Sequence, residues 1–232
     1  MNNSSLRKSV VAGLFAVFSL MPVLANAGGI VLSGTRLIYP AETKQTSVSV
    51  RNTSKQSNFL VQSWVEDANG QKSTDFIVTP PLYVSGPENE NTLRIMYAGK
   101  PLPGDKETLY YFNAKAIPSI DKSKMKGENM LLLSAVTRIK LFVRPQKLNV
   151  SVSDAPADLV FYRDAGMLQI KNPTPYYITL AKLKAGSVAL KDIMVPPGEN
   201  TSQPFPANGG NNLTYQTIND YGALTPERHV SL

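Results

Sequence analysis

The sequence of 232 residues contains no cysteine and a single histidine, His229. Without cysteine there can be no disulfide framework, no cysteine-ligated zinc or iron–sulfur site and no thiol nucleophile. With one histidine, a multi-histidine metal site is excluded, and a histidine-based catalytic triad would depend on the fourth residue from the end of the chain. These absences predict that no metal ion or cofactor is bound, and they favour a binding protein over an enzyme.

The motifs of nucleotide-driven and hydrolytic enzymes are also missing. The sequence has no Walker A loop, no G-x-G-x-x-G fingerprint and no G-x-S-x-G elbow. Its carboxylates are scattered without an evident pair, although folding could assemble one. The net charge of +7 would allow a nucleic-acid partner, but the aromatic residues do not interleave with lysine and arginine as a stacking platform requires. We therefore expect no nucleic-acid partner, and an exported hydrolase is the weakest functional hypothesis.

The first 27 residues have the three parts of a secretory signal peptide. The polar start contains Arg7 and Lys8, residues 10–25 carry no charge, and Ala25-Asn26-Ala27 fits the small-x-small cleavage pattern. The uncharged stretch is shorter than the roughly 20 residues of a membrane-spanning helix, so we expect a cleaved leader and a protein that is not embedded in a membrane. Cleavage would leave 205 residues with 22 Lys and Arg against 17 Asp and Glu, and a net charge of +5.

The rest of the sequence has the pattern of many short β-strands. Apolar or alternating runs are separated by Pro, Gly, Asn and Asp at intervals of about 8 to 12 residues, and no window has helical periodicity. We expect strands over 30–39 (with a break at Gly34), 48–50, 59–65, 76–78, 93–97, 109–117, 130–143, 159–162, 167–171, 176–183, 188–195 and 213–219.

Pro145 interrupts this series, because proline cannot donate to a strand ladder and a central strand should not pass through it. The segments before and after it have the sizes of two immunoglobulin-like sandwiches. The sequence therefore predicts an all-β fold of two immunoglobulin-like β-sandwich domains. The expected organisation is a leader over 1–27, an N-terminal domain over 28–146 and a C-terminal domain over 147–232.

Five segments, in the same order, resemble the signature segments of the PapD-like periplasmic pilus chaperones. They are 34–40 (GTRLIYP), 111–118 (YFNAKAIP), 137–145 (TRIKLFVRP), 172–177 (NPTPYY) and 218–222 (INDYG). The resemblance covers essentially the whole chain after the leader. It implies two immunoglobulin-like domains arranged at an angle with a cleft between them. It also implies an ATP-independent chaperone in the periplasm, which binds pilin (fimbrial) subunits and delivers them to an outer-membrane usher for pilus assembly.

The resemblance further implies an anchoring site for the client. An arginine and a lysine in the cleft of family members hold the C-terminal carboxylate of the pilin subunit, and by motif these residues are Arg36 and Lys140. Charge-assisted donors suit this task, since a guanidinium can bind a carboxylate through two hydrogen bonds. The alternative is that either residue is a surface charge on an edge strand, where such charges prevent aggregation.

The strand over 130–143 would be the one donated to the open groove of the subunit, by β-augmentation. We expect Leu131, Leu133 and Ala135 to enter the groove, and Leu132 and Val136 on the other face to contact the chaperone's own core. Ala135 is smaller than the aliphatic residue that many relatives have there, so one groove pocket would be less filled. Burial of both faces within the protein remains the alternative. Lys140 shares its parity with Leu132, so both roles require the client to contact different sides of the strand, or a twist or bulge between them.

Glu107, Arg144 and Asp220 match positions that form an ionic network between the two domains in relatives; the alternative is three unrelated surface charges. The segment 121–129 is short, as in the subfamily with a short loop before the donated strand. The competing functional hypothesis is a secreted structural or adhesive surface subunit with immunoglobulin-like modules. The sequence leaves self-association of the free chaperone open.

Overall fold

The structure, a computed structural model, describes residues 28–119 and 132–232. The predicted leader over 1–27 and the predicted short loop over 121–129 lie outside the described residues. Among the described residues, no helix is long and apolar enough to cross a membrane. The helical structure described there is a single 3-10 turn, Ala155–Ala157.

Strands before Pro145 form a first unit of two sheets. One sheet has the order β1-β3-β7-β5 and the other has the order β2-β9-β8-β4-β6. Neighbouring strands pair antiparallel, except that β2 runs parallel to β9. The strands are β1 (Ile30–Leu32), β2 (Arg36–Pro40), β3 (Thr46–Asn52), β4 (Phe59–Glu66), β5 (Phe76–Thr79), β6 (Leu82–Ser85), β7 (Glu90–Tyr97), β8 (Thr108–Pro118) and β9 (Ala135–Arg144).

Strands after Pro145 form a second unit, also of two sheets. One sheet has the order β10-β11-β15, and the other has the order β13-β12-β16-β17 with β14 paired to β12. The strands are β10 (Val160–Asp164), β11 (Met167–Lys171), β12 (Ile178–Ala185), β13 (Val188–Ala189), β14 (Ile193–Val195), β15 (Asn200–Pro204), β16 (Asn212–Thr217) and β17 (Arg228–Ser231).

Each unit has its own hydrophobic core, because alternate side chains of its strands point between its sheets. In β4, for example, Phe59, Val61 and Val65 are buried while Gln62 is exposed. Burial of each such aliphatic or aromatic side chain contributes about 1.5–3 kcal/mol. Side chains with no exposed surface include Val50, Leu93, Ile95, Phe112 and Leu141 in the first unit, and Leu168, Ile170, Leu180, Leu183 and Leu213 in the second. The predicted all-β fold of two immunoglobulin-like sandwiches is confirmed.

Some predicted strands are divided in the structure, and some observed strands were not predicted. The run 30–39 forms β1 and β2, which belong to different sheets, and the run 188–195 forms β13 and β14. Three strands were not expected from the sequence, namely β6, β15 and β17. The β15 segment, Asn200–Pro204, is polar, and β6 and β17 lie at the edges of their sheets. The predicted boundary between residues 146 and 147 falls between β9 and β10, and it stays a prediction.

The predicted long strand over 130–143 is shorter within the described residues, where β9 begins at Ala135. Its last rung with β8 joins Ala135 to Ala116. Two residues further along, the same register would place Pro118 opposite Leu133, and proline has no N–H to donate. The ladder therefore ends there, and Leu132 to Ser134 lie outside the strand.

Candidate functional site

Arg36 and Lys140 lie opposite each other at the start of the parallel pairing between β2 and β9. Residues that pair in a sheet project from the same face, so the two cationic side chains are neighbours. Both residues are half-buried. The strand register thus places two positive charges next to each other in a partly desolvated position.

The second unit supplies a neutral oxygen to each of these cations. Arg36 Nη1 donates a hydrogen bond of 2.9 Å to the carbonyl of Ile218, and Lys140 Nζ donates one of 3.1 Å to Oγ1 of Thr179. The Nε atom of Arg36 is buried, and it has no hydrogen-bond partner among the described residues. Within residues 28–119 and 132–232, neither side chain forms an ion pair with a carboxylate.

Burial lowers the pKa of both cationic side chains. Desolvation lowers the pKa of Lys140 to about 8, and the charge of Arg36 acts in the same direction. Desolvation also lowers the pKa of Arg36, while Asp220 and Glu107 oppose that shift. An anion placed against them would therefore stabilise the charged forms of both side chains. A carboxylate fits this arrangement, because it accepts charge-assisted hydrogen bonds from a guanidinium and an ammonium together.

Glu107, Arg144 and Asp220 meet between the two units. Oε1 of Glu107 accepts a hydrogen bond of 2.6 Å from Nε of Arg144. Both terminal nitrogens of Arg144 donate to the Asp220 carboxylate, at 2.6 and 2.7 Å. Oε2 of Glu107 accepts from the N–H of Tyr177 at 2.8 Å. Arg144 therefore links an acid of its own unit to an acid of the second unit.

Glu107 is the most buried member of this cluster, with 3% of its surface exposed. Burial raises the pKa of its carboxyl group, and the Arg144 charge and the Tyr177 N–H oppose that change. Burial alone would lower the pKa of Arg144, but its hydrogen bonds and charge interactions with Asp220 and Glu107 raise it overall. Phe142 stacks on Tyr177 beside these groups, with ring centroids 5.6 Å apart. The contact between the units thus combines partly buried charge pairing with an aromatic stack.

A cavity of about 600 Å³ opens between the two units beside this cluster. Its wall includes Arg36 from the first unit, and Tyr176 and Tyr221 from the second. Tyr221 is 93% exposed, so its side chain stands at the rim. The described residues contain no group of three or more acidic or histidine side chains placed to hold a metal ion.

The residues predicted to enter a client groove are only partly described. Leu131 lies outside the described residues, whereas Leu133 is 71% exposed and Ala135 is also exposed. The side of β9 that pairs with β2 at Lys140 has no neighbouring strand at residues 135–139, within the described part of the chain. This stretch therefore presents exposed side chains next to an open strand edge.

The expectation that Leu132 and Val136 contact the protein's own core is wrong, since they are 43% and 51% exposed. Ile139, Leu141 and Val143, which share the parity of Leu133 and Ala135, are the residues of β9 that pack in the core of the first unit. The reason is the pleat, because alternate side chains point to opposite faces and only one face meets the opposite sheet. Lys140 accordingly projects from the face opposite to Ala135, with no strand bulge between them in β9.

Sequence reasoning missed Thr179, Ile218 and Tyr177 as contributors to this site. Two of them act through backbone atoms, Ile218 with its carbonyl and Tyr177 with its N–H. Backbone contacts leave no signature in the side-chain sequence. Thr179 is one of many strand threonines, and only the docking of β12 against β9 singles it out.

Comparison with known proteins places both units in one family. Residues 29–149 match the model of the pili and flagellar-assembly chaperone PapD N-terminal domain, and residues 154–229 match that of the pili assembly chaperone PapD C-terminal domain. The probable fimbrial chaperone SfmC of Escherichia coli K12 is 47% identical over 206 residues, which cover 89% of this chain and 90% of that protein.

Two solved structures are also similar. The periplasmic chaperone SfaE has 41% identity and a TM-score of 0.76, over 88% of this chain and 100% of that one. The SafB chaperone of Salmonella enterica, solved with the SafA pilin, is among the similar structures at 29% identity and a TM-score of 0.80, over 90% of this chain and 98% of the matched one. With family models that cover most of its length, the chain belongs to the PapD family of pilus assembly chaperones.

Proposed function

We propose that the protein is a periplasmic, ATP-independent chaperone that binds pilin subunits by donor-strand complementation and delivers them to an outer-membrane usher. Membership of the pilus assembly chaperones supports this function, and the same family membership supports a binding role without enzymatic activity. Export would use the leader over 1–27, which fits the periplasmic relatives. The surface-subunit hypothesis has no comparable support, since both family models describe chaperones.

The observation that carries the proposal is the pairing of Arg36 with Lys140. Two half-buried cations share one face, and their hydrogen bonds go to neutral oxygens. Such a pair attracts one carboxylate strongly, because the site is partly desolvated and both donors are charged. The C-terminal carboxylate of a pilin subunit is the anion that this site would anchor.

The strand edge next to these cations supports the second part of the mechanism. Residues 135–139 of β9 have an open edge within the described part of the chain, and a client strand could pair there. Leu133 and Ala135 would enter the client groove, together with Leu131, which lies outside the described residues. Their face is the one that continues from the buried Ile139 and Leu141, so the client core would extend the core of the first unit.

Glu107, Arg144 and Asp220 would hold the two domains in the orientation that the site needs. Ile218 and Thr179, which bind the two anchoring cations, both belong to the second unit. A change in the relative position of the units would therefore move these acceptors away from Arg36 and Lys140. Buried charge pairs are better suited to fixing such an orientation than to adding stability.

The test is co-expression of the exported protein with its pilin partner, followed by purification and mass spectrometry of the bound proteins. Arg36→Ala and Lys140→Ala should remove the pilin from the purified material while circular dichroism stays unchanged. Arg94→Ala is the matched control, because Arg94 is an exposed cation on β7 of the same unit. Recovery of the pilin with both anchoring variants at the level of Arg94→Ala would refute the anchoring role.

A further inference from the structure

One hydroxyl group of the second unit holds the ammonium group of Lys140. Lys140 Nζ donates a hydrogen bond of 3.1 Å to Oγ1 of Thr179, and Thr179 is 7% exposed. Lys140 belongs to β9, whereas Thr179 belongs to β12. This contact therefore crosses from one unit to the other at the point where the two positive charges meet.

Hydrogen bonds within and between the units fix the position of Thr179. The N–H of Ile218 donates to the carbonyl of Thr179 at 3.2 Å, and the carbonyl of Ile218 accepts from Arg36 at 2.9 Å. Thr179 and Ile218 are thus adjacent, and each presents one oxygen to one cation. Because β2 and β9 place Arg36 opposite Lys140, the four residues form a closed frame across the two units.

A neutral acceptor has a specific effect on a lysine in this setting. An ammonium group has three N–H donors, and directing one of them to a fixed oxygen orients the other two. Burial and the charge of Arg36 both disfavour the charged form, whereas a hydrogen bond to that form favours it. The titratable groups that face Lys140 from neighbouring strands are Arg36 on β2 and Tyr111 on β8.

We propose that Thr179 is a positioning residue of the carboxylate site, whose hydroxyl oxygen keeps the Lys140 ammonium group protonated and aligned beside Arg36. The inference rests on the proposed function, because it concerns the site where the client carboxylate would be anchored. It assigns to the second unit a direct part in preparing a donor that belongs to the first.

The first measurement is an NMR titration of Lys140 in protein labelled with ¹³C-lysine. Valine keeps the shape of threonine without the acceptor, so in Thr179→Val we expect the Lys140 midpoint to fall by roughly one pH unit through loss of a hydrogen bond to a charged group. Thr179→Ala should have the same effect, and Thr179→Ser should restore the wild-type midpoint.

Thr217→Val is the matched control for these variants. Thr217 is 3% exposed on the adjacent strand β16, and its hydroxyl bonds Thr225 at 2.9 Å inside the second unit. Its replacement should therefore leave the Lys140 midpoint unchanged. A midpoint in Thr179→Val and Thr179→Ala equal to that of wild type would overturn the inference.

The second measurement uses sodium acetate as the carboxylate probe, with sodium chloride at equal ionic strength as reference. Acetate should shift the Lys140 signal in wild type, and it should do so several-fold more weakly in Thr179→Val. Equal acetate affinities in the two proteins would overturn the positioning role. Acetate could leave the wild-type signal unchanged while the titration midpoint of Lys140 still falls in Thr179→Val. That result would refute carboxylate anchoring and support the hydrogen bond from Lys140 to Thr179.

Discussion

Arg36 and Lys140 face each other across the parallel pairing of β2 and β9, with like charges on adjacent strands. Such a pair is unfavourable in a free protein, and partial burial adds a desolvation cost. Their hydrogen bonds to Ile218 and Thr179 offset part of this cost without neutralising the charge. An anion that binds between these two cations would therefore lower the free energy of the site.

Client binding should weaken as the pH rises through about 8. The pKa of Lys140 is lowered to about 8 by burial and then by Arg36, so its positive charge is present below that pH and is lost above it. Loss of one of two anchoring charges should raise the Kd for the pilin about tenfold or more. Isothermal titration between about pH 6.5 and 9 measures this; a Kd that stays constant across that range would contradict the prediction. Lys140→Arg should give a flatter profile, because a guanidinium keeps its proton.

Lys140→Met should stabilise the free protein while it removes client binding. The folded pKa of Lys140 is below its usual value of 10.5, so the unfolded state binds more protons between about pH 8 and 10.5 and stability rises with pH there. At pH 7 the neutral variant avoids this cost, a gain on the order of 1 kcal/mol after allowing for solvent screening of a half-exposed group. Urea unfolding at pH 7 gives the comparison. A variant less stable than wild type would show that Lys140 is already well compensated.

Replacement of Glu107 should cost more than replacement of Asp220. Glu107 is 3% exposed and accepts hydrogen bonds from both Arg144 and the Tyr177 N–H, so Glu107→Ala leaves two partly buried donors without that acceptor. We expect a loss of about 3 kcal/mol for Glu107→Ala. The Asp220 side chain is 28% exposed, and water can replace it, so Asp220→Ala should cost about 1 kcal/mol. Differential scanning calorimetry measures both, and the reverse order would argue against a buried network centred on Glu107.

Leu133→Asp and Leu132→Asp should separate the two faces of the donated segment. Leu133 shares its parity with Ala135 and would enter the apolar client groove, where a carboxylate without a partner is costly. We expect Leu133→Asp to lower pilin affinity at least tenfold, while Leu132→Asp changes it little. Both residues are exposed in the free protein, at 71% and 43%, so the melting temperature should hold in both variants. Equal loss of pilin binding in the two variants would contradict a one-sided insertion.

The strands that pack in the core were predictable, because their apolar residues recur with a period of two. Met167–Lys171 forms β11 as expected, and the run 59–65 corresponds closely to β4. The polar strand β15 was missed, since its pairing with β11 depends on a neighbour rather than on its own side chains. In the same way, nothing local indicates that β2 runs parallel to β9 rather than antiparallel.

The exposed faces of β9 were predicted incorrectly for a related reason. A run that is apolar at both parities does not show which parity faces the opposite sheet, so Leu132 and Val136 could be assigned to the core, which Ile139 and Leu141 of the other parity occupy. The alternation itself was sound, and it is the position of the second sheet that decides which apolar residues are covered.

The sequence by itself determined the all-β class, the exclusion of cysteine chemistry and the segments that carry Arg36, Lys140, Glu107, Arg144 and Asp220. These follow from composition, local periodicity and motifs, which are properties of short stretches of chain. Only the tertiary structure decided that Arg36 faces Lys140, that Thr179 and Ile218 supply their acceptors, and that Leu132 and Leu133 before β9 are both exposed. Strand register and the docking of the two units join residues far apart in the chain, and their free energy depends on the whole set of contacts rather than on any one segment.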